Sequence, residues 1–272
     1  MKRFSSTDHL ELLAGSQAGV RPQSPVVQAP VAGIEPCSLI DYPGHIAAVV
    51  FLQGCNFNCS WCHNRQLIPC SEALLDPRAL DGFLASRRDF LDGVVVTGGE
   101  PTQHSGLGDL LKRIKGLGYR VKLDTNGSQP EHLAALLDAR LVDFVAMDLK
   151  APLDDAKRQA KFCGLSAKRG PQLVKQLRAS LQILQSKALG GLNLPAHEIR
   201  TTCSPGLNLA DLAAIAGDLA DASPWALQVW RPMRESQAPI SGGPAALGVQ
   251  TINEWVSLLA SAKPKSCITI RG

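Results

Sequence analysis

The sequence contains no stretch of about 18 uncharged apolar residues, so no segment is expected to span a membrane. The first 30 residues have no apolar core of signal-peptide length. They are rich in Ser, Gln, Ala and Pro and read as a loose extension, with room for a short helix at 9–14, ahead of one folded domain at 31–272. Without an export signal the expected compartment is the reducing cytoplasm. Lys and Arg outnumber Asp and Glu by 28 to 24, but no run of five like charges occurs, so no nucleic-acid footprint is expected. No GxGxxG follows the first strand-like segment, which argues against a dinucleotide fold. No internal repeat is present beyond an alternation of strand and helix patterns.

That alternation is the main structural signal. Short runs rich in Val, Ile and Leu occur at 46–52, 94–97, 120–123, 144–149, 198–202 and 227–230, the pattern of strands buried on both faces. Amphipathic segments at 77–88, 106–115, 130–139, 172–186, 209–219 and 251–260 carry apolar residues at i, i+3, i+4. Several have Pro in the first turn, preceded by Asp76, Gln129 or Gly170. Six strand-then-helix units predict a parallel α/β sheet with helical crossovers; six rather than eight predict an open, partial (βα)6 barrel, with a last strand at 267–270 on an edge. Polar residues gather at the predicted C-terminal strand ends, where such barrels build active sites.

The chain has eight cysteines, and in a reducing compartment they argue for metal or redox chemistry more than for disulfides. Cys55, Cys59 and Cys62 form C-x3-C-x2-C just past the first strand. Three thiolates on one loop suit an iron–sulfur cluster or zinc. Zinc would need a fourth ligand such as His63 or Cys70, and structural zinc sites usually pair two C-x2-C units, of which only one is present. No second cysteine cluster lies between Cys62 and Gly98. Cys37, Cys70, Cys163, Cys203 and Cys267 are scattered and read as small buried apolar residues; His9, His104, His132 and His197 read as surface or capping residues. The Gly98-Gly99-Glu100-Pro101 turn can bring backbone close to a ligand beside a carboxylate, or be an ordinary glycine turn. Asp124 to Gly127 can likewise be a plain Asx turn, and Arg200 a salt-bridged barrel arginine.

The segment GCNFNCSWCHN at 54–64 resembles the cluster loop of radical S-adenosylmethionine (SAM) enzymes, with Trp61 in the aromatic slot near the adenine. Cys62-His63-Asn64, SLIDYPG at 38–44, DTNG at 124–127 and MDLK at 147–150 resemble the glycyl-radical-enzyme activases, above all those serving anaerobic ribonucleoside-triphosphate reductase. The resemblance runs from about 33 to 231. It implies a radical-SAM-type barrel, with a [4Fe–4S] cluster on Cys55, Cys59 and Cys62 whose open iron chelates SAM. It further implies that Gly98, Gly99, Glu100 and Pro101 hold the SAM amino group, and that Lys150 contacts the SAM carboxylate, with Arg200 pointing the same way. Asp124 and Asp148, with the carbonyls of Thr125 and Ala146, become a candidate site for a monovalent cation. No side-chain acid or base is implied in the core step. The implied partners are a large glycyl radical enzyme as protein substrate and a low-potential electron donor such as flavodoxin or ferredoxin. The alternatives are the activator of pyruvate formate-lyase, a radical SAM enzyme acting on a small molecule such as a deazapurine precursor, and, from another class, a zinc-binding interaction module.

Overall fold

The computed structural model describes residues 28–70, 74–188, 196–221, 223–231, 248–262 and 267–271. The helix expected at 9–14 lies outside them. Eight strands form one sheet in sequential order: β1 (Val31–Ser38), β2 (Ala47–Leu52), β3 (Gly93–Gly98), β4 (Arg120–Thr125), β5 (Phe144–Asp148), β6 (Ala196–Cys203), β7 (Pro224–Val229) and β8 (Cys267–Arg271). β1 runs antiparallel to β2, and every later pair is parallel. The described helices are α1 (Pro77–Ser86), α2 (Leu107–Gly116), α3 (Pro130–Asp138), α4 (Ala156–Phe162), α5 (Gly170–Ala188), α6 (Leu209–Asp218) and α7 (Val249–Ala262). Among the described residues β1 and β8 are the two edges of the sheet, so this is the expected partial barrel, with β8 on the expected edge.

The strand and helix patterns read from the sequence correspond to β2–β7 and to all the helices except α4. Val94, Val95 and Val96 are wholly buried, as a strand covered on both faces requires. The first helical turn of α1 is held by Asp76, whose side chain accepts from Arg78 N, with Pro77 supplying a preset φ. A reciprocal Asn208–Asp211 capping box starts α6. Two elements were not anticipated. β1 contains Gly33 and Pro36 and pairs with two register shifts, so it lacks a period-2 signal; Pro is tolerated there because the strand is an edge. α4, AKRQAKF, is too short and too charged to show an apolar stripe.

The barrel interior has two zones. Its floor is apolar: Tyr42, Ala47, Val49 and Val95 pack with Phe51 and Phe144. Tyr42 reaches it because the 39–46 loop turns back under the sheet. Towards the C-terminal strand ends the inward residues become polar: Thr97, Asp124, Asp148, Arg200, Thr202 and Gln228.

Candidate active site

The segment after β2 is tied down on three sides. Gly54 has φ +87°, a left-handed turn suited to glycine, and its N–H donates to Leu67 O at 2.8 Å while Cys55 N–H donates to Ile68 O. Arg65 reaches back to Cys59 O at 2.8 Å and Asn58 Oδ1 at 3.2 Å. Asn56 donates to Ser128 Oγ and accepts from Asn126 Nδ2, joining the loop to the end of β4. Cys55, Cys59 and Cys62 thereby face one cavity of about 340 Å³, shared with Trp61, Gly98, Gly99, Glu100, Asp124, Asp148, Lys150 and Arg200. All the expected site residues except Pro101 line it; Pro101 is buried behind Glu100. Residues not anticipated as part of the site also form its wall, among them Asp41, Thr97, Asn126 and Gln228.

Glu100 is a hydrogen-bond hub. Its Oε1 accepts from Thr102 N, Thr102 Oγ1 and Thr125 Oγ1, and its Oε2 from Asn126 N at 2.6 Å. Burial pushes its carboxyl up, and these donors oppose that. The carboxylate therefore splices the end of β3 to the end of β4. The glycines before it serve close packing: a Cβ on Gly98 would stand 2.2 Å from Leu52 O, and one on Gly99 would stand 2.1 Å from Gly54 O.

Across the cavity runs a chain of alternating charge. Lys122 pairs with Asp124; Arg200 Nη1 reaches Asp124 Oδ2 at 3.0 Å and Arg200 Nε reaches Asp148 Oδ1 at 2.9 Å; Lys150 Nζ reaches Asp148 Oδ2 at 2.9 Å. Burial raises the Asp148 carboxyl, but Arg200 and Lys150 outweigh it and bring it down to about 2; Asp124 is held low by Arg200 and Lys122 against the same burial. Burial disfavours the Lys150 charge, yet Asp148 and the nearby Cys59 hold its pKa above the ordinary lysine value. The carboxylates expected to take a monovalent cation are thus occupied by protein cations. Lys150 Nζ also lies 5.1 Å from the centre of the Trp61 ring. The Trp61 indole N–H is buried without a partner among the described residues.

The thiols differ. Burial pushes Cys55 up to about 12 and also raises Cys62, whereas a hydrogen bond with Cys163 lowers Cys59, against burial. The candidate fourth zinc ligands have other neighbours. The His63 ring pairs with Arg231 O at 3.0 Å and stacks on Trp230, while Cys70 Sγ sits against Gly54 outside the cavity. Among the described residues no three His, Cys, Asp or Glu side chains are grouped to hold one metal ion. Three thiolates binding three different irons need no such convergence, so this donor set, soft and turned to one cavity beside cations, fits a cluster.

Some readings of the scattered residues change. Cys163 and Cys203 are buried as expected, but Cys37 and Cys70 are exposed, Cys37 because it lies on the uncovered part of the edge strand β1. Of the Cys267 side chain nothing is described. His197 is no surface residue: it is buried within β6, and burial lowers its pKa. His132 Nδ1 donates to Thr102 O at 2.6 Å, behind Glu100.

The sequence profile of the Radical SAM superfamily matches residues 49–219, a span from β2 to just past α6. The chain belongs to the radical SAM superfamily. Its cofactors are accordingly a [4Fe–4S] cluster and SAM, and it is an enzyme. Within the superfamily it is 31% identical to a Methanocaldococcus jannaschii protein named "Putative glycyl-radical enzyme activating enzyme MJ1227", over 76% of this chain and 82% of that one. It is 33% identical to the pyruvate formate-lyase-activating enzyme of Clostridium pasteurianum, over 48% of this chain and 56% of that one. The radical SAM fold is also seen in Streptococcus suis SuiB bound to S-adenosylmethionine, with a TM-score of 0.53 at 16% identity, covering 80% of this chain and 48% of SuiB.

Proposed function

We propose that this radical SAM enzyme is a glycyl-radical-enzyme activase, with Cys55, Cys59 and Cys62 holding the cluster, and that its partner is an anaerobic ribonucleoside-triphosphate reductase. The observation that carries the reading is the single cavity in which the three cysteines face the Lys150–Arg200 side of the charge chain. The 31% identity with a relative named as an activase, over most of both chains, supports the class of partner. The CHN tripeptide at 62–64 and the SLIDYPG loop at 38–44 support the reductase.

When bound, a cluster held by Cys55, Cys59 and Cys62 would supply the low-potential electron for reductive cleavage of SAM and so the capacity to abstract a hydrogen atom from the substrate. The residues of this chain do the holding. Lys150 and Arg200 would receive the SAM carboxylate, since both keep N–H groups beyond those used on Asp148 and Asp124. The Gly98–Gly99 backbone would take the SAM amino group, with Glu100 fixing its position, and the Trp61 ring would border the adenine. Val49, Phe51 and Phe57 give the cavity apolar walls that keep water from a reactive radical. A second hollow of about 580 Å³ shares Asp41, His63, Arg200, Thr202 and Gln228 with the first and extends to Ile40 and Pro43. Ile40 and its neighbour Leu39 are 83% and 73% exposed there. An extended segment of a protein substrate fits such an approach. Glycine suits the target because a residue without Cβ can enter a narrow site, and the transfer needs contact geometry.

Electron paramagnetic resonance of the reductase after incubation with this protein, SAM and a reductant tests the proposal, and a glycyl doublet is expected. If no glycyl radical enzyme gains one while a small molecule stimulates deoxyadenosine release, the activase reading fails.

A further inference from the structure

Three side chains close a ring between the cysteine loop and the end of β4. Asn126 Nδ2 donates to Asn56 Oδ1 at 2.8 Å, Asn56 Nδ2 donates to Ser128 Oγ at 2.7 Å, and Ser128 N–H donates to Asn126 Oδ1 at 3.0 Å. One group fixes the order of the ring. A backbone N–H can only donate, so the Asn126 atom that meets it is the oxygen; the other is the nitrogen, which must meet the Asn56 oxygen. The β4 side of the ring is a fixed post. Asn126 and Ser128 are buried. Asn126 N–H donates to Glu100 Oε2, Thr125 Oγ1 donates to Glu100 Oε1 and accepts from Gly127 N–H, and Ser180 Oγ of α5 donates to Gly127 O. Asn56 directly follows Cys55 on the loop, and Asn126 lines the cavity two residues after Asp124. The rest of the loop has its own ties, Asn58 N–H to Cys163 O and Arg65 to Cys59 O.

We propose that Asn56 and Asn126 are positioning residues for SAM cleavage: through the ring with Ser128 they set where the cysteine loop stands relative to the strand ends that line the cavity. The proposal rests on the reading that Cys55, Cys59 and Cys62 hold the cluster and that the cavity takes SAM. Bonds that run around a ring polarise one another, so the three members act as a unit and losing one loosens the others. Packing alone does not account for the ring, since apolar side chains would fill the same space without fixing a register. Because the loop keeps its other ties, opening the ring shifts the loop rather than unfolding it. The cysteines would still take up iron, but SAM would be met in poorer geometry, and a misplacement of about 1 Å can cost ~100-fold in rate.

The test compares the wild type with Asn56→Ala, Asn126→Ala, their double variant and Asn56→Asp, all full-length and reconstituted. Iron content should match the wild type and calorimetric SAM affinity should stay within about threefold of it, while kcat for deoxyadenosine release without a partner falls about tenfold to a hundredfold. Removing one member already opens the ring, so the double variant should be slower than the slower single by no more than about twofold; independent contacts would multiply. Asn56→Asp keeps an acceptor for Asn126 Nδ2, and the Ser128 hydroxyl can turn to donate to its other oxygen, so its kcat should stay near that of the wild type. Urea unfolding of the cluster-free proteins should show the same non-additivity. An unchanged kcat in N56A and N126A, losses that combine independently in the double variant in either assay, or an N56D as slow as N56A overturns the proposal. Should the Ala variants lose their iron, Ser128→Ala, which removes one bond and little volume, must show the kcat loss with iron retained; a wild-type rate in it overturns the proposal equally. A wild-type protein that takes up no [4Fe–4S] cluster would instead sink the three-cysteine reading, and one that holds its cluster but binds no SAM would sink the SAM assignment of the cavity; both would show before any variant is compared.

Discussion

Replacing Asp148 with Asn removes one charge from the middle of the barrel's ion chain while keeping its shape. Asp148 bonds both Arg200 Nε and Lys150 Nζ at 2.9 Å, and its carboxyl is held at about 2 instead of its ordinary 3.8. A group with a depressed folded pKa stabilises the fold above its unfolded pKa and loses that contribution as pH falls through the folded value. For Asp148 the contribution is complete by about pH 5, falls between pH 4 and 2, and amounts to about 2 kcal/mol at neutral pH. Asn can accept from only one of the two cations, and a cation left buried without its partner costs more, so about 2–3 kcal/mol is expected for the variant. The assay is urea denaturation of the cluster-free protein at pH 7 and at steps down to pH 3. The gap between wild type and D148N should be widest at neutral pH and narrow as the pH approaches 3. A gap that stays constant over this range, or one below about 0.5 kcal/mol at pH 7, would refute the closed ion chain.

Replacing Cys55, Cys59 or Cys62 singly with Ala should abolish the iron–sulfur absorbance and SAM cleavage together, whereas Cys70→Ala should retain both; metal and sulfide analysis of anaerobic preparations checks this. Gly99→Ala would drive a Cβ to within 2.1 Å of Gly54 O, so a loss of several kcal/mol or of cluster uptake is expected, read from thermal unfolding and iron content. Lys150→Met should weaken SAM binding about tenfold or more, since a charged hydrogen bond contributes about 1.5–3 kcal/mol, and calorimetric titration of the reconstituted protein would show it.

The fold was legible where periodicity was strong and hidden where an element had no pattern of its own. The run Val94–Val95–Val96 reads as a buried strand, and the Pro77, Pro130 and Pro171 starts name their helices. β1 carries Gly33 and Pro36 and draws its regularity from its neighbour β2, so only the pairing reveals it. The cysteine triplet was legible because its three thiols are close in sequence. The groups that support it come from far along the chain: Asn126 Nδ2 meets Asn56 across 70 positions, and the 163–164 corner meets Asn58 across more than 100. Lys122 is 1% exposed, something no composition rule announces for a lysine; it is explained only by Asp124 beside it and the Phe144 ring 5.9 Å from its ammonium.

The charge chain also bears on which ligand the proposed site would take. The family resemblance implies a monovalent-cation site on Asp124 and Asp148. The fold places Lys122, Arg200 and Lys150 around them, and three cations against two carboxylates leave a net charge of +1. Each carboxylate is consumed by two cations, whereas the cations are not consumed in return. An ammonium has three donors and a guanidinium five, yet Lys150 spends one hydrogen bond on Asp148 and Arg200 spends one each on Asp148 and Asp124 among the described residues. The surplus donors lie on the wall that faces the cysteines, in a low-dielectric hollow where an unanswered positive charge is costly. Three thiolates and the carboxylate of a bound amino-acid end are groups of the sign that answers it. On the proposed reading the aspartates act as spacers that aim Lys150 and Arg200, and the cations they hold would make the anion-binding face of the site.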